Sequence, residues 1–144
     1  VVYLVRHADK APGQGDPDVQ LSDAGRARAM ALAEAFSSHR LDAIYATHLR
    51  RTQQTVAPLA ERLDLDLHVL PASATDRLVA RLTTRHCGAA VLVAGHSNTL
   101  PEIMKGLGVA SAPAIADAEY GVVYAVERGD SGPTLETGTF DAPP

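Results

Sequence analysis

The sequence predicts an α/β protein: a mostly parallel sheet flanked by helices in three layers, completed by a C-terminal antiparallel hairpin. Two observations carry that reading. The short apolar runs Val1–Val5 and Ala89–Ala94 are rich in valine and show no polar alternation, as strands buried on both faces do. Between such runs lie segments with apolar residues at helical spacing, and parallel neighbours need crossovers of that kind. The resulting order is βαβαβαβαββ. No repeat or linker interrupts it, so residues 1–144 read as one domain.

Each element has its own local reason. The first strand ends abruptly in Arg6-His7-Ala8-Asp9-Lys10, and Ala11–Gln20 follows as a loop rich in Pro, Gly and Asp. Ser22 is placed to cap a helix that starts near Asp23 and runs to about Ser38, with Leu32 and Phe36 inward. Ala43–Ala46 form the second strand. Thr47 is placed to cap the next helix, His48 to Leu63, where Val56, Leu59, Ala60 and Leu63 make one apolar stripe. Leu67–Leu70, closed by Pro71, is the third strand. Asp76 to about His86 is a helix with Leu78, Val79 and Leu82 inward. Ala89–Ala94 is the fourth strand, and Gly95-His96-Ser97-Asn98 follows at once. Ser97 or Asn98 is expected to cap a helix that carries Leu100, Ile103, Met104 and Leu107 and stops at Gly108. Tyr120–Val126 and Thr134–Phe140 read as a hairpin around Arg128-Gly129-Asp130-Ser131-Gly132.

Bulk properties exclude several classes of function. Net charge is −4 and no basic run occurs, which argues against a nucleic-acid partner. No apolar stretch approaches the ~20 residues of a membrane span. Cys87 is the single cysteine, so no internal disulfide forms, and no His-x-x-x-His or Cys-x-x-Cys spacing suggests zinc. The chain begins at Val1, without methionine and directly in a strand, so an upstream leader, propeptide or tag is expected. Localisation and oligomeric state stay open.

Three strand ends carry the chemistry. Arg6 and His7 follow the first, Arg50 and Arg51 lie just after the second, and His96 follows the fourth. In a parallel sheet these ends share one edge, where open α/β folds bind ligands. Guanidinium groups grip the oxygens of a phosphate monoester in pairs, and a neutral imidazole beside them can attack phosphorus. A second imidazole can donate to the oxygens as charge spreads over them.

Arg6-His7, Leu21-Ser22-Asp23-Ala24-Gly25, Thr47 through Thr55 and Gly95-His96-Ser97-Asn98-Thr99 together resemble the histidine phosphatase superfamily, the phosphoglycerate-mutase-like group. The resemblance implies a phosphatase in which His7 is the phosphorylated nucleophile, Arg6 and Arg51 hold the phosphoryl group, and His96 is the second histidine. Arg51 matches the family arginine four residues after Thr47. Arg50, about 100° round the helix, is then a solvent-facing neighbour. Neither a metal nor an organic cofactor is required.

The sequence also departs from the family pattern. Ala8 replaces the usual glycine after the histidine, and Asp9-Lys10 stand in place of the common glutamate. The segment Pro71–Gly88 is short where cofactor-dependent mutases carry a long insertion with a glutamate acid. That favours a compact phosphatase, similar to the small bacterial members that include phosphohistidine phosphatases. Asp76 is the candidate proton donor, with Asp9 and Glu119 as rivals, and a phosphohistidine substrate needs no such acid. Asn98 and Lys10 are candidate substrate contacts.

Expected substrates are small phosphorylated molecules or a phosphoprotein, and the loops Ala11–Gln20 and Pro71–Thr75 carry no diagnostic cluster. Two other readings stay open: a phosphate-binding or regulatory module without turnover, and a metal-dependent hydrolase using His7 and His96. His39, His48 and His68 read as surface residues, and Arg85-His86 as a helix end. Gly129-Asp130-Ser131-Gly132 reads as a turn rather than a protease motif.

Overall fold

The computed structural model describes residues 1–13 and 15–144, so Gln14, within the loop Ala11–Gln20, lies outside the described residues. Six strands and four helices alternate as the sequence predicts: β1 (Val2–Arg6), α1 (Asp23–Phe36), β2 (Ala43–Thr47), α2 (Arg50–Leu63), β3 (Leu67–Leu70), α3 (Thr75–Thr84), β4 (Val91–Gly95), α4 (Thr99–Gly106), β5 (Val122–Gly129) and β6 (Gly132–Thr139). They form one sheet in the order β3-β2-β4-β1-β5-β6. The first four in that order are mutually parallel, and β5 and β6 join antiparallel. The hairpin is longer than predicted, its strands running into the Gly129–Gly132 pair, where Gly132 at φ +105° supplies the left-handed turn residue.

Strand side chains alternate between two cores. Val5, Ile44, Ala46, Leu92 and Ala94 face α1 and α2, where Leu32, Phe36, Val56 and Leu59 are fully buried. Val2, Leu4, Ala43, Val91 and Val93 face α3 and α4, with Leu78, Leu82, Leu100 and Ile103. This two-sided cover is why the strands lack polar alternation. Each such buried Leu or Phe contributes about 2 kcal/mol.

Helix starts differ from the sequence reading in two places. Ser22 does cap α1, its side chain accepting from the Gly25 N–H at 3.1 Å. The second helix instead begins at Arg50, behind an N-cap residue, Leu49, without a side-chain acceptor. Thr47 is no cap because it is still in β2 and its hydroxyl is engaged elsewhere. At α4 neither Ser97 nor Asn98 caps. Thr99 accepts from the His96 N–H at 2.9 Å, and Asn98 makes no cap bond.

Candidate active site

Strand register builds the site. β2, β4 and β1 are consecutive in the sheet and parallel, so their carboxyl ends lie side by side. Arg6 is level with Gly95, so the next residues, His7 and His96, leave the sheet as neighbours, their ring centroids 5.4 Å apart. Ala46 is level with Ala94, which brings Thr47 beside Gly95. His7, His96 and Arg6 are 4%, 8% and 7% exposed, a degree of burial that polar groups tolerate only with partners.

His7 is held at both ends. Its N–H donates to the Gly95 carbonyl at 2.9 Å, and its ring Nδ1 lies 2.8 Å from the Ala8 carbonyl oxygen. A carbonyl only accepts, so Nδ1 carries the ring proton and Nε2 keeps its lone pair. The Ala8 N–H donates to Thr55 Oγ1 at 2.9 Å, and that hydroxyl donates to the Arg51 carbonyl at 2.7 Å. One threonine on α2 thereby ties the turn after His7 to the helix turn bearing Arg51.

His96 ends a hydroxyl chain. Thr52 Oγ1 donates to the carbonyls of Thr47 and Leu49, at 3.0 and 2.8 Å. Its contact with Thr47 Oγ1, at 2.7 Å, must then be donated by Thr47. Thr47 Oγ1 lies 2.9 Å from His96 Nε2 and, its own proton spent, accepts from that nitrogen. Neutral His96 is therefore protonated on Nε2.

Both imidazoles are pushed down to a pKa of about 4, by burial first. For His7 the Ala8 carbonyl opposes this, and Arg6, His96 and Arg51 add to it. For His96 the further causes are Arg51, His48, Arg6 and Lys10. The charges acting on the pair are cationic.

The two arginines share a pattern. Arg6 donates through Nη1 to the carbonyls of Ala116, Asp117 and Glu119, at 3.3, 2.8 and 2.9 Å, and its guanidinium lies 4.3 Å from the Tyr120 ring centroid. Arg51 donates through Nη1 to the Pro17 carbonyl at 3.2 Å. In both, Nε is buried and, among the described residues, without a partner. Buried N–H groups of this kind demand an acceptor, and an anion satisfies them. Each guanidinium is tethered through Nη1, while its Nε is left without an acceptor among the described residues. The arrangement can therefore bind a tetrahedral dianion and present the bare Nε2 of His7 to it.

The remaining candidates separate. Lys10 is exposed, pairs in a bridge with Leu21 and acts on His96. Asn98 is exposed two residues beyond His96. Asp76, exposed at the start of α3, lines a groove with Val79, Glu102 and Lys105. Asp9 is ion-paired to Arg28 at 2.6 Å. Glu119 offers Arg6 its carbonyl, and its carboxylate acts on Tyr124.

Sequence reasoning missed Thr47 and Tyr120, the latter 6.1 Å from His7 between ring centroids. Thr47 sits four residues before Arg51, a spacing that marks the arginine but not the contact of the Thr47 hydroxyl with His96. For Tyr120 no local signal exists. Among the described residues no three His, Cys, Asp or Glu side chains are grouped as a metal site.

An α/β sheet with two histidines and two arginines gathered at its parallel strand ends defines the class. Comparison with known proteins gives the family. A sequence model of the histidine phosphatase superfamily (branch 1) matches residues 2–74, and the chain belongs to that superfamily. A curated relative, the Uncharacterized protein Rv0525 of Mycobacterium tuberculosis (strain ATCC 25618 / H37Rv), is 36% identical over 75 residues. That match spans 49% of this chain and only 37% of the relative's length.

Solved structures share the fold. The alpha-ribazole phosphatase from Shigella flexneri superposes with a TM-score of 0.75 at 16% identity, covering 99% of this chain and 98% of that one. The mycobacterial glucosyl-3-phosphoglycerate phosphatase Rv2419c gives 0.74 at 18% identity, covering 98% of each chain. The protein histidine phosphatase SixA, complexed with tungstate, gives 0.75 at 19% identity, covering 96% of each.

Proposed function

We propose that this chain is a phosphatase that hydrolyses a phosphomonoester or phosphohistidine through a covalent phosphohistidine on His7. The observation that carries the reading is the state of His7. Its Nδ1 proton is fixed on a carbonyl, its Nε2 is neutral, and two guanidinium groups flank it whose buried Nε atoms have no partner among the described residues. In the first step Nε2 forms a bond to phosphorus while the P–O or P–N bond to the leaving group breaks. In the second, water attacks phosphorus, the P–N bond to His7 breaks, and orthophosphate leaves. Arg6 and Arg51 hold the phosphoryl oxygens throughout, and His96 exchanges its Nε2–H from the Thr47 hydroxyl to those oxygens as charge develops. Lys10 and Asn98 stand at the rim as contacts for the rest of the substrate.

Among the carboxylates considered, Asp9 is paired to Arg28, Asp76 lies on the α3–α4 groove, and the Glu119 carboxylate is directed to Tyr124. This favours substrates whose leaving group departs without a proton from the protein, phosphohistidine among them.

The test is hydrolysis of an activated aryl phosphate by the wild-type protein and by His7→Ala, with and without a chelator. Chelator-resistant turnover that His7→Ala abolishes is the expected result. Arg51→Ala should lose about a hundredfold in kcat/KM, the scale of removing one donor from a charge-stabilising site. Normal turnover by His7→Ala would sink the nucleophile. Phosphate binding without turnover means a phosphate-binding module, and chelator-sensitive turnover a metal enzyme.

A further inference from the structure

The segment Gly15–Gln20 is fastened to the start of α2 by directional bonds. The Asp18 carboxylate accepts from the Arg50 backbone N–H at 2.7 Å, capping the helix that Leu49 leaves uncapped. Arg50 returns two bonds, from Nε and Nη2, to the Asp18 carbonyl at 3.1 and 2.9 Å. The loop is stiffened internally. Gly15 adopts φ +77°, Pro17 fixes its own φ, and Asp16 Oδ1 accepts from the Asp18 N–H at 2.9 Å. One residue further along the helix, Arg51 donates to the Pro17 carbonyl at 3.2 Å. Asp18, Arg50 and Pro17 thus form a clasp whose far end is the Arg51 guanidinium.

We propose that Asp18 is a positioning residue for Arg51. By holding the Pro17 carbonyl in place it turns the guanidinium so that the Nε edge faces the phosphoryl group. The proposal rests on the reading of Arg51 as a phosphoryl-binding arginine. The ion pairs of Arg50 with Asp16 and Asp18, at 3.9 and 3.5 Å between half-exposed side chains, contribute little by themselves. The bonds to backbone groups fix the geometry. An arginine side chain is long and rotamer-rich, so fixing one nitrogen matters for a site that needs two others aligned.

The sign of the effect separates this role from plain electrostatics. Removing an acidic side chain near an anion site should tighten phosphate binding by Coulomb attraction alone. Loss of the clasp should weaken it.

The experiment measures KM for an aryl phosphate and Ki for inorganic phosphate in wild type, Asp18→Ala, Asp18→Asn and Arg50→Ala. Asp18→Ala should raise KM and Ki together by about tenfold, the worth of one charge-assisted hydrogen bond. Asp18→Asn keeps the Oδ1 acceptor and should restore both. Arg50→Ala, which keeps the backbone cap but loses the return bonds, should move both in the same direction by less.

Phosphate binding by Asp18→Ala as tight as wild type, or tighter, overturns the proposal. So does a fall confined to kcat, which reports lost folded protein. A wild type that neither turns over nor binds phosphate, or a fully active His7→Ala, instead overturns the pocket reading and the clasp with it. An active wild type beside an unchanged Asp18→Ala overturns the clasp alone.

Discussion

His7 and His96 are buried next to two arginines, and this sets their protonation. The usual histidine value of 6.5 falls to about 4 for both. Ring resonances followed by NMR should therefore titrate with midpoints near 4, and midpoints near 6.5 would refute the burial argument. The same shift links pH to stability. The native rings bind protons more weakly than the unfolded chain does, so their contribution is complete above about 6.5 and is lost as pH falls toward 4. The full effect is roughly 3 kcal/mol for each histidine. That Arg6, His7, Arg51 and His96 come together was legible in the sequence, because each lies at or just after a strand end and the sheet aligns strand ends. Thr47 was not. A threonine at a strand end has the same letters whether it caps a helix or contacts a histidine, and only the register of β2 against β4 decides.

Helices and strands here are joined through small, specific fits. Gly25 on α1 packs against the backbone of Asp9, and a Cβ there would overlap the Asp9 carbonyl oxygen. That oxygen already accepts from the Ser22 N–H at 2.9 Å, so α1 and the loop after His7 are locked together. Gly25→Ala should destabilise the protein by about 2 kcal/mol, the scale of overpacking, measured by urea unfolding. A wild-type midpoint would mean that the loop yields freely. Burial leaves a clear pattern in the helices and central strands, whereas β3 and β6, largely exposed, were legible from Pro71 and from the turn residues before β6. The ends were harder to read. The start of α2 moved from His48 to Arg50 because its cap comes from Asp18, distant in sequence and invisible to local pattern.

At the level of the molecule, a chain of net charge −4 concentrates cations at one sheet edge: Arg6, Lys10 and Arg51, with His48 beside them. Such a focused field draws small dianions despite the overall sign. Under the proposed chemistry, with no carboxylic acid aiding departure, kcat/KM across a series of aryl phosphates should fall steeply as the leaving phenol becomes less acidic. A flat series would instead show a proton donor at work.

The strand order also has a consequence for synthesis. Of the six strands described, β1, which leads to His7, is synthesised before the others, yet its sheet neighbours are β4 and β5. Arg6 waits for the carbonyls of residues 116–119, more than a hundred residues downstream. A nascent chain that has emerged through α3 carries His7 and both arginines but has no scaffold to align them. The two histidines and two arginines come together only when the last third of the chain arrives, so under the proposed chemistry a product stalled before that point does not turn over phosphates.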